Sequence, residues 1–439
     1  MEPRARRRLW PTTLAGKAGV VALGAAVLLV AAWFAAMHYS TKRLQEAWAL
    51  SKEFGLPVDF VELLGPVVPP ERNAAVAYDR AAKKGATFIL NLRVQRKVVN
   101  DEPVDDPSFL VAMDELLKDA EYEAALAEAD RLTEYRSPVV ALEPLFNISL
   151  AHLQTRRDDL RAERAIVRRL VSLGKREEAV RRLLRMSRLT RRWEEKEPLI
   201  ISAMVNVAIR EVITDELNLI LRRGGPLPAV LHDEIEREMA EYETILRVMP
   251  RVGLSEAIAV SESYDMVSPL GDARLLRPLT NNDRAYLVRH LHHWSKTADR
   301  PYYEVNDELD AMDKEVNRIA GDPVRRLFYF GATATLRSIS QARSTLDRAI
   351  AKARCLRIVN AWARRNDYAA SLETLGLPKE CLIDPFDGQR LRVKETPNGP
   401  IIYSIGQDLK DDGGRLEVMP GGGNGRDFGL GPAAAVEKK

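Results

Sequence analysis

An uninterrupted apolar run near the N-terminus constrains this chain more than any other feature. The residues from Ala18 to Met37 include no charged side chain and no strongly polar one. Because a helix rises about 1.5 Å per residue, about 20 helical residues cross the roughly 30 Å hydrocarbon core of a bilayer. The run therefore predicts a transmembrane helix at residues 18–37.

The charges that flank this run predict its orientation. Five basic side chains precede it within residues 1–17, whereas only Lys42 and Arg43 follow it closely. Basic residues accumulate on the cytoplasmic side of membrane helices. We therefore expect a single-pass protein of the cytoplasmic (inner) membrane, with a basic cytoplasmic segment at 1–17 and everything after Met37 outside the cytoplasm.

A cleaved signal peptide is the main alternative for this run. Such peptides have an apolar region of about 7–15 residues, followed by a cleavage site with small side chains. This run is longer, and the large residues Trp33, Phe34 and Tyr39 stand near its end. Because Trp and Tyr suit the membrane interface, we favour an uncleaved anchor.

The composition of the remaining chain favours helices. Of the 439 residues, 29% are charged and only 6% are aromatic, and the middle of the chain is rich in Ala, Leu, Arg and Glu. These are good helix formers. Residues 1–17 hold five basic side chains and one Glu, so they account for the net charge of +3 and leave the rest slightly acidic. The composition therefore predicts a mainly α-helical body and no nucleic-acid partner.

Breaks in the helical pattern suggest the domain organisation. After the transmembrane helix we predict an extracytoplasmic body of helical hairpins at 38–331. A small α+β cap follows at 332–428, with one long helix, two short strands and an Asp/Gly loop. The Gly-rich composition of the end predicts a disordered tail at 429–439.

Local signals also predict individual helix ends. Gly85 is expected to end one helix, and the pair Asp158-Asp159 to begin another. Residues 109–135 read as one helix, and Gly174 as the joint of an antiparallel helix pair. The stretch 252–283 is expected to be rich in loops and to cover a groove, because it contains several helix breakers.

The segment from Arg156 to Arg192 is rich in arginine, which first suggests a polyanion as ligand. Acidic residues alternate with the arginines throughout the segment. Opposite charges three or four residues apart pair on the surface of a helix. We therefore expect a solvated, ion-paired surface, with an anionic polymer or lipid headgroups as the alternative ligand.

The histidines and cysteines do not form a complete site in the sequence. His290 and His293 fall on one helical face, but a zinc site needs at least a third ligand. On an exported domain, Cys355 and Cys381 can form a disulfide or remain two separate thiols, and the sequence leaves both open. No catalytic motif stands out, which favours a protein that is not an enzyme.

An acidic, glycine-containing loop near the C-terminus is the most informative stretch for function. Ser404, Asp408, Asp411 and Asp412 lie among several glycines, and Asp427 follows after a spacer. Several carboxylates on a flexible loop are typical of a hard-cation site with oxygen ligands. The spacing does not match an EF-hand. We expect Ca²⁺ rather than Mg²⁺, with a solvated acidic loop as the alternative.

The order of motifs at the C-terminus resembles the C-terminal domain of the type II secretion major pseudopilins. A long helix ending in Ala361-Trp362 is followed by SLETLGLP, DPFDGQ, IIYSIGQD, an Asp/Gly loop and a final Asp. The resemblance implies a calcium-binding loop whose ligands are Ser404, Asp408, Asp411, Asp412, Asp427 and the carbonyl of Ile405. The anchor departs from that family, since it lacks a prepilin-type processing site and a Glu inside the apolar run, so assembly into a pilus is not implied.

The whole chain also resembles a family of large membrane-anchored bacterial proteins, a likeness that implies no activity. The sequence therefore favours a membrane-anchored scaffold or partner-binding protein of the cell envelope, related to secretion. Its expected partners are the bilayer and an envelope protein. The alternative is an envelope hydrolase with a site beneath residues 252–283.

Overall fold

The computed structural model describes residues 13–53, 62, 65–96, 107–136, 151–197, 199–224, 227–266, 276–416 and 427–432. Within these residues the protein is mainly helical and has one small antiparallel sheet. This confirms the mainly α class predicted from the composition. The predicted segment 1–17 lies outside the described residues except for its last five positions.

The strands follow the longest helix of the body. The elements are α1 (Leu14–Glu53), α2 (Ala74–Arg96), α3 (Pro107–Leu117), α4 (Ala120–Arg131), α5 (Ala151–Ser172), α6 (Arg176–Lys196), α7 (Ile200–Arg222), α8 (Ala229–Tyr242), α9 (Met249–Met266), α10 (Arg277–Ser295), α11 (Tyr302–Gly321), α12 (Pro323–Phe328), α13 (Phe330–Arg365), β1 (Arg392–Lys394), β2 (Ile401–Ser404) and β3 (Phe428–Leu430).

Helix α1 is continuous and has two halves of different character. Its first half is apolar and has no buried residue before Ser40, and it is long and apolar enough to cross a membrane. Its second half packs against α10, where Ala47 is completely buried. Asn281 donates to Thr41, and Arg289 pairs with Glu46 at 3.1 Å. The predicted apolar N-terminal helix is therefore present, and the same helix docks on the body.

The Gly174 joint is confirmed. Gly174 has φ +79°, a left-handed conformation that suits glycine, and it separates the antiparallel helices α5 and α6. The N–H of Lys175 donates to the carbonyl of Leu170, which closes the end of α5. Ala179, five residues after the glycine, is fully buried and allows close packing.

Helix α13 runs through the centre of the body. It packs against α7, α8, α10 and α11, and it also contacts β2 and β3. The indole of Trp362 is buried and donates to the carbonyl of Ala370. The hydrophobic core is one continuous cluster from Ala47 to Leu430, so it crosses the predicted domain boundary at residue 332.

The sheet has the order β1-β2-β3, with both pairs antiparallel. The two predicted strands are present, whereas β3 was not predicted. Gly429 permits the pairing of β3 with β2, because a Cβ there would lie 2.1 Å from the carbonyl oxygen of Ile402. The prediction of a disordered tail from residue 429 is wrong at Gly429 and Leu430, which are paired in β3.

Four local predictions are wrong. The stretch 252–283 is not mainly loop: it is helical up to Met266 and again from Arg277, and residues 267–275 lie outside the described part. Residues 109–135 form two helices, because Asp119 caps α4 by accepting from the N–H groups of Glu121 and Tyr122.

The other two wrong predictions concern residues that lie inside a helix rather than at its end. Gly85 lies in the middle of α2, and Asp158-Asp159 lies within α5. A Cβ on Gly85 would lie 2.2 Å from Oδ1 of Asp159. The glycine is therefore explained by a close approach between two helices rather than by a helix end.

Candidate functional site

The predicted acidic loop follows β2 and returns to β3 at the edge of the sheet. Leu409 and three glycines in the loop have positive φ, a conformation that allows a tight turn. Within the loop Asp408 is half-buried, whereas Asp411 and Asp412 are exposed. Asp427 is completely buried beside them.

Ser404 does not face the loop carboxylates but belongs to a buried cluster around Asp384. The hydroxyl of Ser404 donates to Oδ1 of Asp384 at 2.8 Å, and the N–H of Ile405 donates to Oδ2 at 3.0 Å. The N–H of Phe386 and the guanidinium of Arg392 complete the shell, each at 3.0 Å. Burial raises the pKa of Asp384, and the hydrogen bonds from Phe386, Ser404 and Ile405 oppose this shift.

Asp427 organises the other side of the loop. One carboxylate oxygen accepts from the N–H of Gly414 at 2.7 Å, and the other accepts from the N–H of Asp412 at 3.3 Å. Burial raises the pKa of Asp427, the two N–H groups lower it, and the negative charges of Asp411 and Asp412 raise it again. Three carboxylates therefore lie close enough to interact electrostatically.

The two remaining candidates form local bonds. Asp411 accepts from the hydroxyl of Tyr403 at 3.1 Å and from the N–H of Gly413 at 2.8 Å. Asp408 accepts from the N–H of Lys410 at 3.2 Å. The structure thus brings Asp411, Asp412 and Asp427 together and places Ser404 in a different hydrogen-bonding cluster.

These residues are chemically suited to a hard cation, since all of their ligand atoms are oxygens. Among the described residues, however, no group of three or more His, Cys, Asp and Glu side chains is arranged to hold a metal ion. To bind Ca²⁺, the exposed Asp411 and Asp412 would have to turn towards Asp427. Calcium binding at this loop stays a prediction.

A second polar cluster, which the sequence did not reveal, is buried between α2, α4, α5 and α6. Asp159 accepts hydrogen bonds from the hydroxyl groups of Tyr78 at 2.8 Å and Tyr122 at 2.9 Å. Tyr122 lies at 2.6 Å from Glu163, and Glu163 in turn forms a two-point ion pair with Arg182. We call these five residues the tyrosine–carboxylate cluster.

The two carboxyls of the tyrosine–carboxylate cluster have opposite pKa shifts. Burial, helped by the nearby charge of Glu163, raises the pKa of Asp159 to about 7. Burial also acts to raise the pKa of Glu163, but the Arg182 guanidinium outweighs it and lowers that pKa. A buried acid with a pKa near neutrality can hold or release a proton at physiological pH.

The arginine-rich helix pair is ion-paired as predicted, but part of it is buried rather than solvated. Arg156 forms a buried two-point ion pair with Glu197, lies 4.4 Å from the ring of Trp193, and also contacts the hydroxyl of Tyr135. The prediction of a wholly solvated surface is therefore wrong for Arg156 and for Arg182, both of which are buried.

The histidine and cysteine predictions can also be compared with the structure. His290 stacks on Tyr286 at 4.1 Å, and it belongs to no metal-holding group in the part of the chain that the structure describes. Cys355 and Cys381 are free thiols, both completely buried, so the structure has the two separate thiols and not the disulfide. Burial raises the pKa of both, which makes them poor nucleophiles.

A cavity of about 500 Å³ lies between the end of α13 and the following turn. Its lining combines apolar and charged groups: Glu236, Asn360, Ala361, Arg364, Arg365, Leu375, Gly376, Leu377 and Pro378. It does not involve residues 252–283, where the hydrolase alternative would need a site. The described helices also remove most of the predicted loop that was to cover such a site.

No family model, curated protein or solved structure matches this chain. The likeness to pseudopilins and to membrane-anchored bacterial proteins therefore rests on the sequence motifs alone.

Proposed function

We propose that the protein is a membrane-anchored scaffold or partner-binding protein of the cell envelope, with its body outside the cytoplasm. The observation that carries this proposal is the two-part character of α1. Its first half exposes apolar side chains such as Leu28 and Leu29, at 71% and 72%, which only a bilayer or another apolar surface would cover. Its second half is part of the folded body.

The continuity of α1 makes the anchor a rigid support rather than a flexible tether. The helix continues without a break past Met37, and Ser40, Ala47 and Ser51 are buried against the body. The excess of basic residues before the apolar run supports a cytoplasmic N-terminus. A body held at a fixed distance from the bilayer is suited to positioning another envelope component.

The C-terminal cap supports a role related to secretion, because its motif order resembles that of the major pseudopilins. In this proposal Ca²⁺ orders the loop from Asp408 to Asp427 and so stabilises the edge of the sheet. In this proposal the cavity at the end of α13 receives a segment of a partner, since apolar side chains lie there beside the exposed Arg364 and Arg365.

The anchoring part of the proposal is tested by extraction and mass measurement. Membranes that contain the full chain are washed with alkaline carbonate, and the intact mass of the retained protein is measured. We expect retention in the membrane pellet at the full mass of 49.3 kDa, allowing for loss of the initiator Met. A soluble product shortened near Met37 would show a cleaved signal peptide and contradict the proposal.

The partner-binding part is tested in the same membranes. A photo-crosslinking amino acid at Leu377, in the cavity, is expected to capture a discrete envelope protein, whereas the same group at the exposed Leu173 is not. Absence of any position-specific product would count against a partner at this cavity.

A further inference from the structure

Four exposed apolar side chains gather where α11, α12 and α13 meet, close to the start of α10. They are Leu276, Val324, Phe328 and Phe330, with exposed fractions of 46%, 67%, 37% and 69%. We call this group the apolar corner. Phe330 is the most exposed aromatic residue beyond α1 in the described part of the chain. In the described part of the chain these side chains keep between 37% and 69% of their surface exposed, although burying any of them further would be favourable.

The contacts of α1 fix the end of the body at which α10 begins. Thr41 contacts Asn281, and further along both helices Glu46 contacts Arg289. Since residue numbers increase together, α1 and α10 run parallel. The beginning of α10, and Leu276 before it, therefore lies at the end of the body nearest the apolar half of α1.

The same reasoning places the rest of the apolar corner. Both carboxylate oxygens of Asp283, in the second turn of α10, accept from the N–H groups of Gly331 and Ala332 at 2.9 Å. This cap fixes the start of α13 beside the start of α10. Two contacts show that α11 runs antiparallel to α13: Ser340 with Asp313, and Arg337 with Asn317. The C-terminal end of α11 therefore also lies beside the start of α13.

Distances along the helices then give the height of the apolar corner above the membrane. Arg43 lies six residues beyond Met37 and contacts Asn282, about 9 Å above the edge of the hydrocarbon core. Leu276 precedes Asn282 by six residues, which returns it to about the level of Met37. Phe330, beside Asp283, lies within about 10 Å of that edge, and helical side chains lean towards the N-terminus, here towards the membrane.

The charges around the apolar corner suit a lipid surface. Lys42, Arg277, Arg325 and Arg326 are all exposed at this end of the body. The nearby Asp322 caps α12 and also pairs with Arg325 at 3.7 Å, so Lys42, Arg277 and Arg326 supply most of the positive charge. Exposed arginines beside apolar side chains are typical of segments that lie in the headgroup layer, where the cations contact phosphates and the apolar groups reach the acyl boundary.

We propose that the apolar corner inserts into the headgroup layer of the bilayer that α1 crosses, so that the body has two contacts with the membrane. This proposal rests on the proposed anchoring by α1. The two contacts fix the tilt of the body, whereas α1 alone would permit rotation about its own axis. Lipid is the partner of the apolar corner for two reasons. The corner lies at the level where α1 leaves the bilayer, and the basic side chains around it are attracted to anionic headgroups.

The experiment measures the depth of single labelled positions in the full-length protein. An environment-sensitive fluorophore is attached to Phe330→Cys or Val324→Cys, and the protein is reconstituted into vesicles of phosphatidylcholine and phosphatidylglycerol. Nitroxide lipids labelled near the headgroup or deep in the chain quench fluorophores at matching depths. The native Cys355 and Cys381 are buried, so the unsubstituted chain gives the background labelling.

Two further positions serve as controls. Leu28→Cys lies in the middle of the apolar half of α1 and reports on the anchor. Val230→Cys is 54% exposed and lies near the other end of α13, since its neighbour Asp233 pairs with Arg364. That end is about 51 Å from Phe330 along the helix, because 34 residues separate Phe330 from Arg364.

The proposal predicts loss of emission at 324 and 330 with the shallow quencher, loss at 28 with the deep quencher, and no loss at 230. Emission at 330 that is as insensitive as at 230, with normal quenching at 28, would refute the lipid contact and leave the anchor intact. No quenching at 28 would refute the anchor itself, and the lipid contact with it.

Discussion

Replacing Gly85 with alanine tests whether the tyrosine–carboxylate cluster determines the packing of α2 on α5. On helix propensity alone, Ala in the middle of a helix is more stable than Gly by about 1 kcal/mol. In this structure a Cβ at position 85 would lie 2.2 Å from Oδ1 of Asp159 and 3.4 Å from the ring of Tyr122. Helix propensity therefore predicts that Gly85→Ala raises the free energy of unfolding, whereas packing predicts that it lowers it.

The packing cost is the larger of the two. At about pH 8 Asp159 is mainly charged, since its pKa is about 7. Displacing it there removes its hydrogen bonds with Tyr78 and Tyr122, and bonds that involve a charged group contribute about 1.5–3 kcal/mol each. The two bonds together are worth about 3–6 kcal/mol, so after the propensity gain Gly85→Ala should destabilise by about 2–5 kcal/mol. For a body of roughly 400 residues the entropy of unfolding is about 0.8 kcal/mol/K, so the melting temperature should fall by about 2–6 °C.

Thermal unfolding of the detergent-solubilised chain, followed by circular dichroism, measures this change. Gly321→Ala is the matched control, because its Cβ would meet nothing within 4 Å. In an Asp159→Ala background the obstacle is gone, so Gly85→Ala should be neutral or stabilising by up to about 1 kcal/mol. A stabilising effect of Gly85→Ala in the native background, or the same loss in both backgrounds, would refute the reasoning.

Three further predictions follow from the buried carboxyls and the acidic loop. Because the pKa of Asp159 is raised to about 7 in the folded protein, protonation of Asp159 stabilises the fold. This stabilisation is complete below about pH 4 and is lost as the pH rises through 7. Asp159→Asn should remove this part of the pH dependence of the melting temperature. Asp384→Asn should destabilise by about 2–4 kcal/mol, since it replaces one accepting carboxylate oxygen with an NH2 donor that faces buried donors. Hydrogen exchange should quicken in residues 401–416, and unchanged exchange would count against the central role of Asp384. Calorimetric titration of the full chain with Ca²⁺ should give heat that Asp411→Ala and Asp412→Ala diminish, while Mg²⁺ gives less; no heat with Ca²⁺ would leave only a solvated acidic loop.

The sequence predicted the elements whose signals are local. The apolar run near the N-terminus indicated α1, the predicted long helix that ends in Ala361-Trp362 is α13, and Gly174 indicated the joint between α5 and α6. These signals are the spacing of apolar residues along the chain and the backbone conformation of a glycine. Both are determined by residues that are close in sequence. The two alternating apolar stretches near Arg392 and Ile401 were recognised as strands for the same reason.

The predictions that failed depend on long-range contacts. Gly85 was interpreted as a helix end, although its role is to admit the side chain of Asp159, 74 positions later in the sequence. Strand β3 lies after a glycine-rich stretch and depends on pairing with β2 and on packing against α13, which are both long-range contacts.

Parts of the arrangement around the acidic loop could be read from the sequence, whereas cation binding there stays a prediction. The sequence places Asp411 and Asp412 in one loop and Asp427 near them, and the structure brings these three together. The sequence also placed Ser404 in that group. Ser404 donates instead to Asp384, a long-range contact that only the fold shows. The tyrosine–carboxylate cluster left a weaker signal: Asp159 and Glu163 are four residues apart on one face of α5, but a similar spacing is common in charged helices.

The location of the body relative to the membrane is the central claim, and paired reporters fused after Lys439 test it most directly. Alkaline phosphatase is active only outside the cytoplasm, whereas a fluorescent protein that fails to fold after export reports a cytoplasmic position. We predict an active phosphatase fusion and a dark fluorescent fusion, each made from full-length chain. A fluorescent C-terminus with an inactive phosphatase would contradict the orientation inferred from the basic residues, and with it the proposed envelope function.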